Sequence, residues 1–116
     1  MKTRRQARII ALQVLFEVDM TGHNPEVALS ERFAEKELPP EGEAFARLLV
    51  RGALEHRPEI DALIQRVAPE WPVEQIAGVD RAILRLATYE IVFSGQTAPK
   101  VAINEAVELA KIFGSD

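Results

Sequence analysis

The chain has 116 residues, of which 47% are hydrophobic, and a formal net charge of −4. This length fits one domain with its own core, so we expect a single domain over residues 1–116. The absence of cysteine excludes disulfides, thiolate metal sites and cysteine nucleophiles. The two histidines, His23 and His56, lack metal-ligand spacing, and the scattered carboxylates form no acid–base pair. We therefore expect neither a cofactor nor an enzyme.

The charge is unevenly distributed. The first sixteen residues carry +4 and no acid, through Lys2, Arg4, Arg5 and Arg8, which leaves −8 for the remaining hundred. Basic residues before an apolar stretch also occur in signal peptides, but no small-residue cleavage site follows here. We interpret the segment as a helix of a cytoplasmic protein and its basic end as a local anion site.

Helical periodicity dominates the sequence, and no segment alternates as a β-strand does. The first helix is predicted from Thr3 to Met20, with Thr3 and Gln6 as a capping box and Gly22 after its end. Its inward apolar stripe is Ala7, Ile10, Ala11, Val14, Leu15 and Val18.

Prolines mark several of the later helix starts. Asn24 followed by Pro25 is typical of an N-cap and a first helical position, and predicts a second helix to about Leu38. The third helix is predicted at Glu41–His56, a fourth begins at Pro58 and includes Val67, and a sixth covers Lys100–Phe113.

The fifth helix, predicted at Arg81–Phe93 with Asp80 as its cap, is apolar almost all round. Only Arg81, Arg85 and Thr88 form a polar edge, which predicts a central, most buried helix. Trp71, between two prolines, and Tyr89 are interpreted as core residues with a polar tip. The alternative for both is a stacking platform for bases.

The arginines of the first helix lie three or four residues apart and share one face. They occupy the end where the helix macrodipole disfavours cations, and Glu17 and Asp19 occupy the end that disfavours acids. This arrangement favours ligand binding over helix stability, and it predicts that changing Arg4 and Arg5 to glutamate leaves the fold at least as stable. Free N–H groups and clustered guanidinium groups suit a phosphate. The alternative is a solvated basic end with no function.

Two motifs of the second half carry a family resemblance. They are VDRAILRLATYE at 79–90 and VAINEAVELAK at 101–111, and the first helix adds Arg4-Arg5, Ala7-Arg8 and ALQVLF at 11–16. With these motifs in this order, the chain resembles the NusB family of bacterial transcription antitermination factors over most of its length. Residues 21–40 match only as helix and loop.

The resemblance implies an all-α fold, a compact bundle of about six helices in two packed three-helix halves. It implies binding of single-stranded boxA-type RNA from ribosomal RNA operons together with NusE, a small-subunit ribosomal protein. It places both in a transcription antitermination complex with RNA polymerase, with no membrane partner.

The resemblance also assigns site residues. It supports Lys2, Arg4, Arg5 and Arg8 as RNA contacts. The polar edge of the fifth helix belongs to the region where NusE docks, so Asp80, Arg81 and Arg85 are expected to bind the partner. The alternatives are helix capping by Asp80, and pairing of the two arginines at the surface with Asp80, Glu90 or acids of a neighbouring helix. Asn104 and Glu105 are interpreted as structural, with Glu105 or Glu108 pairing with a lysine.

Two alternatives stay open, and the end of the chain gives one further expectation. One alternative is that the chain is a NusB-like RNA-binding domain detached from a ribosomal-RNA cytosine methyltransferase. Another is that its amphipathic first helix binds a membrane surface. Family members usually continue beyond Asp116, where this chain stops. We therefore expect Leu109 and Phe113 to lose their covering, which predicts either lower stability or a homodimer through the exposed patch.

Overall fold

The computed structural model describes residues 2–114, with Lys2 as backbone only, and this part of the chain is helical without a β-strand. The helices are α1 (Lys2–Thr21), α2 (Pro25–Glu35), α3 (Pro40–Glu55), α4 (Arg57–Val67), α5 (Gly78–Thr88) and α6 (Pro99–Phe113). A short 3-10 helix (Val73–Gln75) precedes α5, and a π-helical segment (Tyr89–Ser94) continues it. The all-α prediction is confirmed.

The second helix begins and ends for reasons visible in its flanking residues. The Asn24 side chain accepts hydrogen bonds from the backbone N–H groups of Glu26 (2.8 Å) and Val27 (3.1 Å), which confirms the predicted cap. The helix ends at Glu35, short of the predicted Leu38. Leu38 precedes a proline, which disfavours helical backbone, and its side chain is buried in the core instead.

Two predicted helix starts are wrong. α1 already includes Lys2, so Thr3 lies inside the first turn and does not cap the helix. α5 begins at Gly78, which places Asp80 in its first turn, where the macrodipole favours an acid. A Cβ on Gly78 would lie 3.0 Å from side-chain atoms of Phe16 and Met20, so a larger residue would require these side chains of α1 to shift.

The core lies between two three-helix halves. α1, α2 and α3 form one half and α4, α5 and α6 the other, and α1 packs against both α3 and α5. The predicted stripe of α1 faces this core, with Val18 only partly buried. Each fully buried aliphatic side chain contributes roughly 1.5–3 kcal/mol through loss of apolar surface from water. The largest are Leu29, Leu49, Ile60, Leu86, Val14 and Val50.

The prediction for the surface of α5 is wrong in one respect. Arg85, expected at a polar edge, is 8% exposed, whereas Leu84 is 41% exposed and Val92, in the π-helical segment, 54%. Arg85 is buried because Asp61 and Asp19 neutralise it. Leu84, Ile91 and Val92 are exposed apolar residues of α5 and the π-helical segment.

Trp71 and Tyr89 lie in different environments. Tyr89 is buried, as predicted, and its ring lies against Gly52. Trp71 is 66% exposed, so its prediction as a core residue is wrong. It lies in the turn after α4, where Val73 supplies the buried side chain instead.

The expected exposure at the end of α6 is also wrong for Leu109, which is 2% exposed, and Phe113 is partly buried against the core. These residues share a face with Ala102 and Ala106, and that face packs on the core. The exposed apolar residues of α6 lie beside this face and are Val101, Ile103, Val107 and Ile112. Within residues 2–114, no helix combines the length and hydrophobicity needed to cross a bilayer.

Candidate nucleic-acid interface

The N-terminal end of α1 presents Arg4 to solvent. Its guanidinium donates a hydrogen bond to the backbone oxygen of Gln96 (3.2 Å) and lies 4.1 Å from the ring centre of Phe45. A cation over an aromatic face is attracted by the ring's negative face. Arg4 is thus held in position without an ion pair to an acid among residues 2–114, and it keeps its charge available at the surface.

Arg5 lies beside Arg4 and is partly exposed. Its Nε and Nη2 donate to the two carboxylate oxygens of Glu105 on α6, at 3.1 and 2.8 Å. The hydrogen bonds from Arg5 hold the pKa of Glu105 below its usual range, against the effect of burial, with added attraction from Arg5 and Arg8. Glu105 therefore pairs with an arginine, not with the lysine expected from the sequence, whereas Glu108 does pair with Lys111.

Arg8 differs from both, because it is 3% exposed. Its Nε and Nη2 donate to Glu90 at 2.9 Å each, and Glu90 also accepts a hydrogen bond from Thr97 (2.9 Å). A paired, buried guanidinium is not presented to a ligand. Arg8 is a structural counter-charge here, and the side chain of Lys2 lies outside the described residues.

A second charged cluster lies at the other end of α1, around Asp19. Arg81 donates to Asp19 through Nε and Nη2 (2.9 and 2.7 Å), and its Nη1 donates to backbone oxygens, the nearest that of Ile76 (2.8 Å). Arg85 donates to both oxygens of Asp61 (2.8 and 2.9 Å), and Arg57 donates to Asp19 at 3.1 Å. These contacts correspond to the alternative in which Arg81 and Arg85 pair with acids of other helices.

The surface beside this cluster contains Asp80. It is half-buried in the first turn of α5 and lines a small open cavity together with Trp71 and Gln75. Trp71 also borders an apolar groove between α4 and α5, which we call the α4–α5 groove. Its lining residues are Leu63, Ile64, Val67, Ala68, Trp71, Ile76, Leu84, Thr88, Ile91 and Val92. We did not predict this groove from the sequence. The signal for it was the fifth helix, which is apolar almost all round and was interpreted as fully buried.

Other site chemistry is limited in the described part of the chain. Residues 2–114 contain no group of three or more metal-ligating side chains. Every buried side-chain nitrogen or oxygen in that range has a hydrogen-bond partner. The N-terminal basic end and the surface around Asp80 are therefore the two candidate binding surfaces.

Two three-helix halves with a basic helix end define a class of small all-α proteins, and comparison with known proteins gives the family. A sequence model described as the NusB family matches residues 5–116, so the chain belongs to the NusB family. The transcription antitermination protein NusB of Roseiflexus sp. (strain RS-1) is 53% identical over 97% of this chain and 81% of its own length. The corresponding protein of Chloroflexus aggregans is 48% identical, over 97% and 77%.

Solved structures agree. NusB of T. maritima has a TM-score of 0.88 at 34% identity, covering 97% of this chain and 80% of its own. A complex of antitermination factors NusB and NusE with dsRNA matches with a TM-score of 0.87 at 30% identity, over 97% and 83%. The relatives are named as transcription antitermination proteins and not as enzymes, which confirms the non-enzyme prediction and favours this class over the methyltransferase domain.

Proposed function

We propose that this protein is a cytoplasmic, RNA-binding transcription antitermination factor. In this proposal it binds single-stranded boxA-type RNA of ribosomal RNA operons jointly with NusE, in an antitermination complex with RNA polymerase. The observation that carries the proposal is the N-terminal end of α1, where Arg4 and Arg5 lie at the surface of an otherwise acidic protein. The solved complex of NusB, NusE and dsRNA supports both partners.

The RNA contacts in this proposal are Lys2, Arg4 and Arg5. Arg8 supports them from within, because its pair with Glu90 holds the first turns of α1 against the π-helical segment that follows α5. A helix N-terminus that carries arginines can bind phosphate in two ways, through the charged guanidinium groups and through the free backbone N–H groups of the first turn. With Arg8 internal, three cations remain, and at about 0.7 per phosphate contact the slope of log affinity against log salt should be about −2.

The partner surface in this proposal is centred on Asp80. Arg81 and Arg85 contribute by shape, since both are already paired with Asp19 or Asp61. We extend the proposal to a homodimer, which the exposed apolar residues of the α4–α5 groove support. Equilibrium sedimentation of the protein alone tests this extension. A monomer at all concentrations would remove that extension and leave the RNA proposal intact.

The main test combines Arg4→Gln with Arg5→Gln. Glutamine removes the charge but does not repel Glu105, so the fold is retained while affinity for a short boxA-type single strand falls about tenfold or more, as two phosphate contacts are lost. The matched control is Arg47→Gln with Arg51→Gln on α3, which changes the net charge equally. It removes ion pairs to Glu26 and Glu43 and the contact of Arg47 with the Phe33 ring, much as the test variant removes the contact of Arg4 with Phe45.

Binding is measured with and without NusE, on single-stranded and duplex RNA, across a salt series. NusE should tighten RNA binding, and RNA should tighten NusE binding by the same factor. Binding of NusE alone should be unchanged in the double variant. If the double variant binds RNA as the parent does, the interface is misplaced; if a duplex binds as well as the single strand, the single-strand assignment is wrong.

A further inference from the structure

Glu105 meets Arg5 at the edge of the guanidinium that would otherwise hold a phosphate. The pair is bidentate, with Nε and Nη2 of Arg5 donating to Oε1 and Oε2 of Glu105. The same two parallel N–H groups form the strongest contact of arginine with a phosphate. While Glu105 occupies them, a phosphate has access only to the outer N–H groups of Arg5.

The carboxylate of Glu105 is committed mainly to Arg5. Its other cationic neighbour is Arg8, whose Nη1 lies 3.8 Å from Glu105. The Nε and Nη2 of Arg8 donate to Glu90 instead. The Glu105 side chain is 16% exposed and that of Arg5 36%, so the pair lies at the boundary between core and solvent. The hydrogen bond to Glu105 raises the pKa of Arg5, and both groups are charged at neutral pH.

We propose that Glu105 limits the affinity of the RNA interface by competing with RNA phosphates for Arg5. This inference rests on the proposed RNA-binding function. Phosphate contacts carry no sequence information, and they strengthen binding to every RNA alike. A carboxylate that occupies Arg5 and repels the phosphate weakens this common contribution.

The test is Glu105→Gln, which keeps the shape of the side chain and one acceptor for Arg5. Affinity for a scrambled single strand should rise roughly fivefold, as expected for removing one charge about 4 Å from a phosphate in water. Affinity for the boxA-type strand should rise by a similar factor, so the ratio between the two RNAs should stay nearly constant.

Glu108→Gln is the matched control. Glu108 lies one turn further along α6 and pairs with Lys111, so this change removes the same charge without freeing the Arg5 edge. Its effect on the scrambled strand should stay below twofold. In Arg5→Gln with Glu105→Gln, the gain should disappear, because it acts through Arg5.

The outcomes separate this inference from the function beneath it. If Arg5→Gln does not weaken RNA binding, the proposed interface itself is wrong. If Arg5→Gln weakens binding but Glu105→Gln leaves the scrambled strand unchanged or weaker, then Glu105 only positions Arg5, and the competition is refuted. An equal gain in Glu105→Gln and Glu108→Gln would reduce the effect to net charge and also refute it. Helical circular dichroism of each variant checks that it is folded.

Discussion

The three arginines of α1 look equivalent in the sequence but have different roles in the structure. Arg4 is exposed, Arg5 shares Glu105, and Arg8 is buried against Glu90. Their spacing predicts one shared face. In the structure, Arg4 and Arg8 approach the loop before α6, and Arg5 and Arg8 approach Glu105 on α6. The acidic partners lie 82 and 100 residues away in sequence, so helix periodicity cannot identify them.

These partners change one expectation from the sequence. Replacing Arg4 and Arg5 by glutamate was expected to leave the fold at least as stable, because acids suit a helix N-terminus. In the structure, a glutamate at position 5 faces Glu105, and the like charges repel. Glutamine is therefore the appropriate change for separating RNA binding from folding.

The buried Arg8–Glu90 pair gives a prediction for a single residue. Glu90→Gln leaves Arg8 buried with only the more distant Glu105 as a negative neighbour, and the free energy of unfolding should fall by roughly 3 kcal/mol. Urea unfolding at neutral pH measures this. Glu108→Gln, at an exposed pair, should leave the urea midpoint nearly unchanged. A loss equally small for Glu90→Gln would mean that water reaches Arg8.

At the scale of the elements, local signals predicted that helices exist better than they predicted which face is buried. Asn24-Pro25 and the prolines that open α3 and α6 act through backbone chemistry that the sequence displays directly. The burial of Arg85 depends on Asp61 from α4 and Asp19 from α1, which only the folded chain brings together. The π-helical segment after α5 likewise has no local sequence signal that we identified.

The contact between α3 and the π-helical segment gives a prediction at this scale. A Cβ on Gly52 would overlap the ring of Tyr89, which is buried and cannot swing into solvent. Gly52→Ala should therefore lower the thermal midpoint, although alanine is intrinsically the better helix former by about 1 kcal/mol.

Tyr89→Leu supplies the control for this prediction, since it removes the overlapping ring atoms. Gly52→Ala should be less destabilising in the Tyr89→Leu background than in the parent, as a double-mutant cycle measures. Additive losses would show that the helices separate elsewhere and that the ring does not limit their approach.

For the whole molecule, α1 joins the two halves through opposite charges at its two ends. Its N-terminal arginines pair with Glu90 and Glu105 from the second half, and Asp19 near its C-terminal end pairs with arginines of α4 and α5. In the sequence these charges oppose the helix macrodipole, and ligand binding was inferred as the reason for their positions. Tertiary pairing accounts for most of them, because ion pairs to other helices outweigh a dipole effect of about 0.3–1 kcal/mol. Among the described cations of this end, Arg4 retains the clearest case for a ligand.

Acid should weaken the join between the halves at Asp19. Burial alone would raise the pKa of Asp19, but the hydrogen bonds and charge of Arg81, with the charges of Arg85 and Arg57, outweigh it and hold the pKa below its usual value. Because the folded-state pKa is depressed, the stabilisation is complete above the unfolded pKa of about 3.9 and is lost as pH falls through the folded value.

This charge dependence predicts the effect of Asp19→Asn. The substitution should lower the free energy of unfolding by roughly 2 kcal/mol at pH 7, as expected for charge-assisted hydrogen bonds. The gap between parent and variant should close as pH falls below about 4. Urea unfolding from pH 7 to pH 2 measures both, and Glu31→Gln, an exposed change in α2, should lower stability at pH 7 far less. A gap of the same size at every pH would show that Asp19 stabilises the halves through packing and not through its charge.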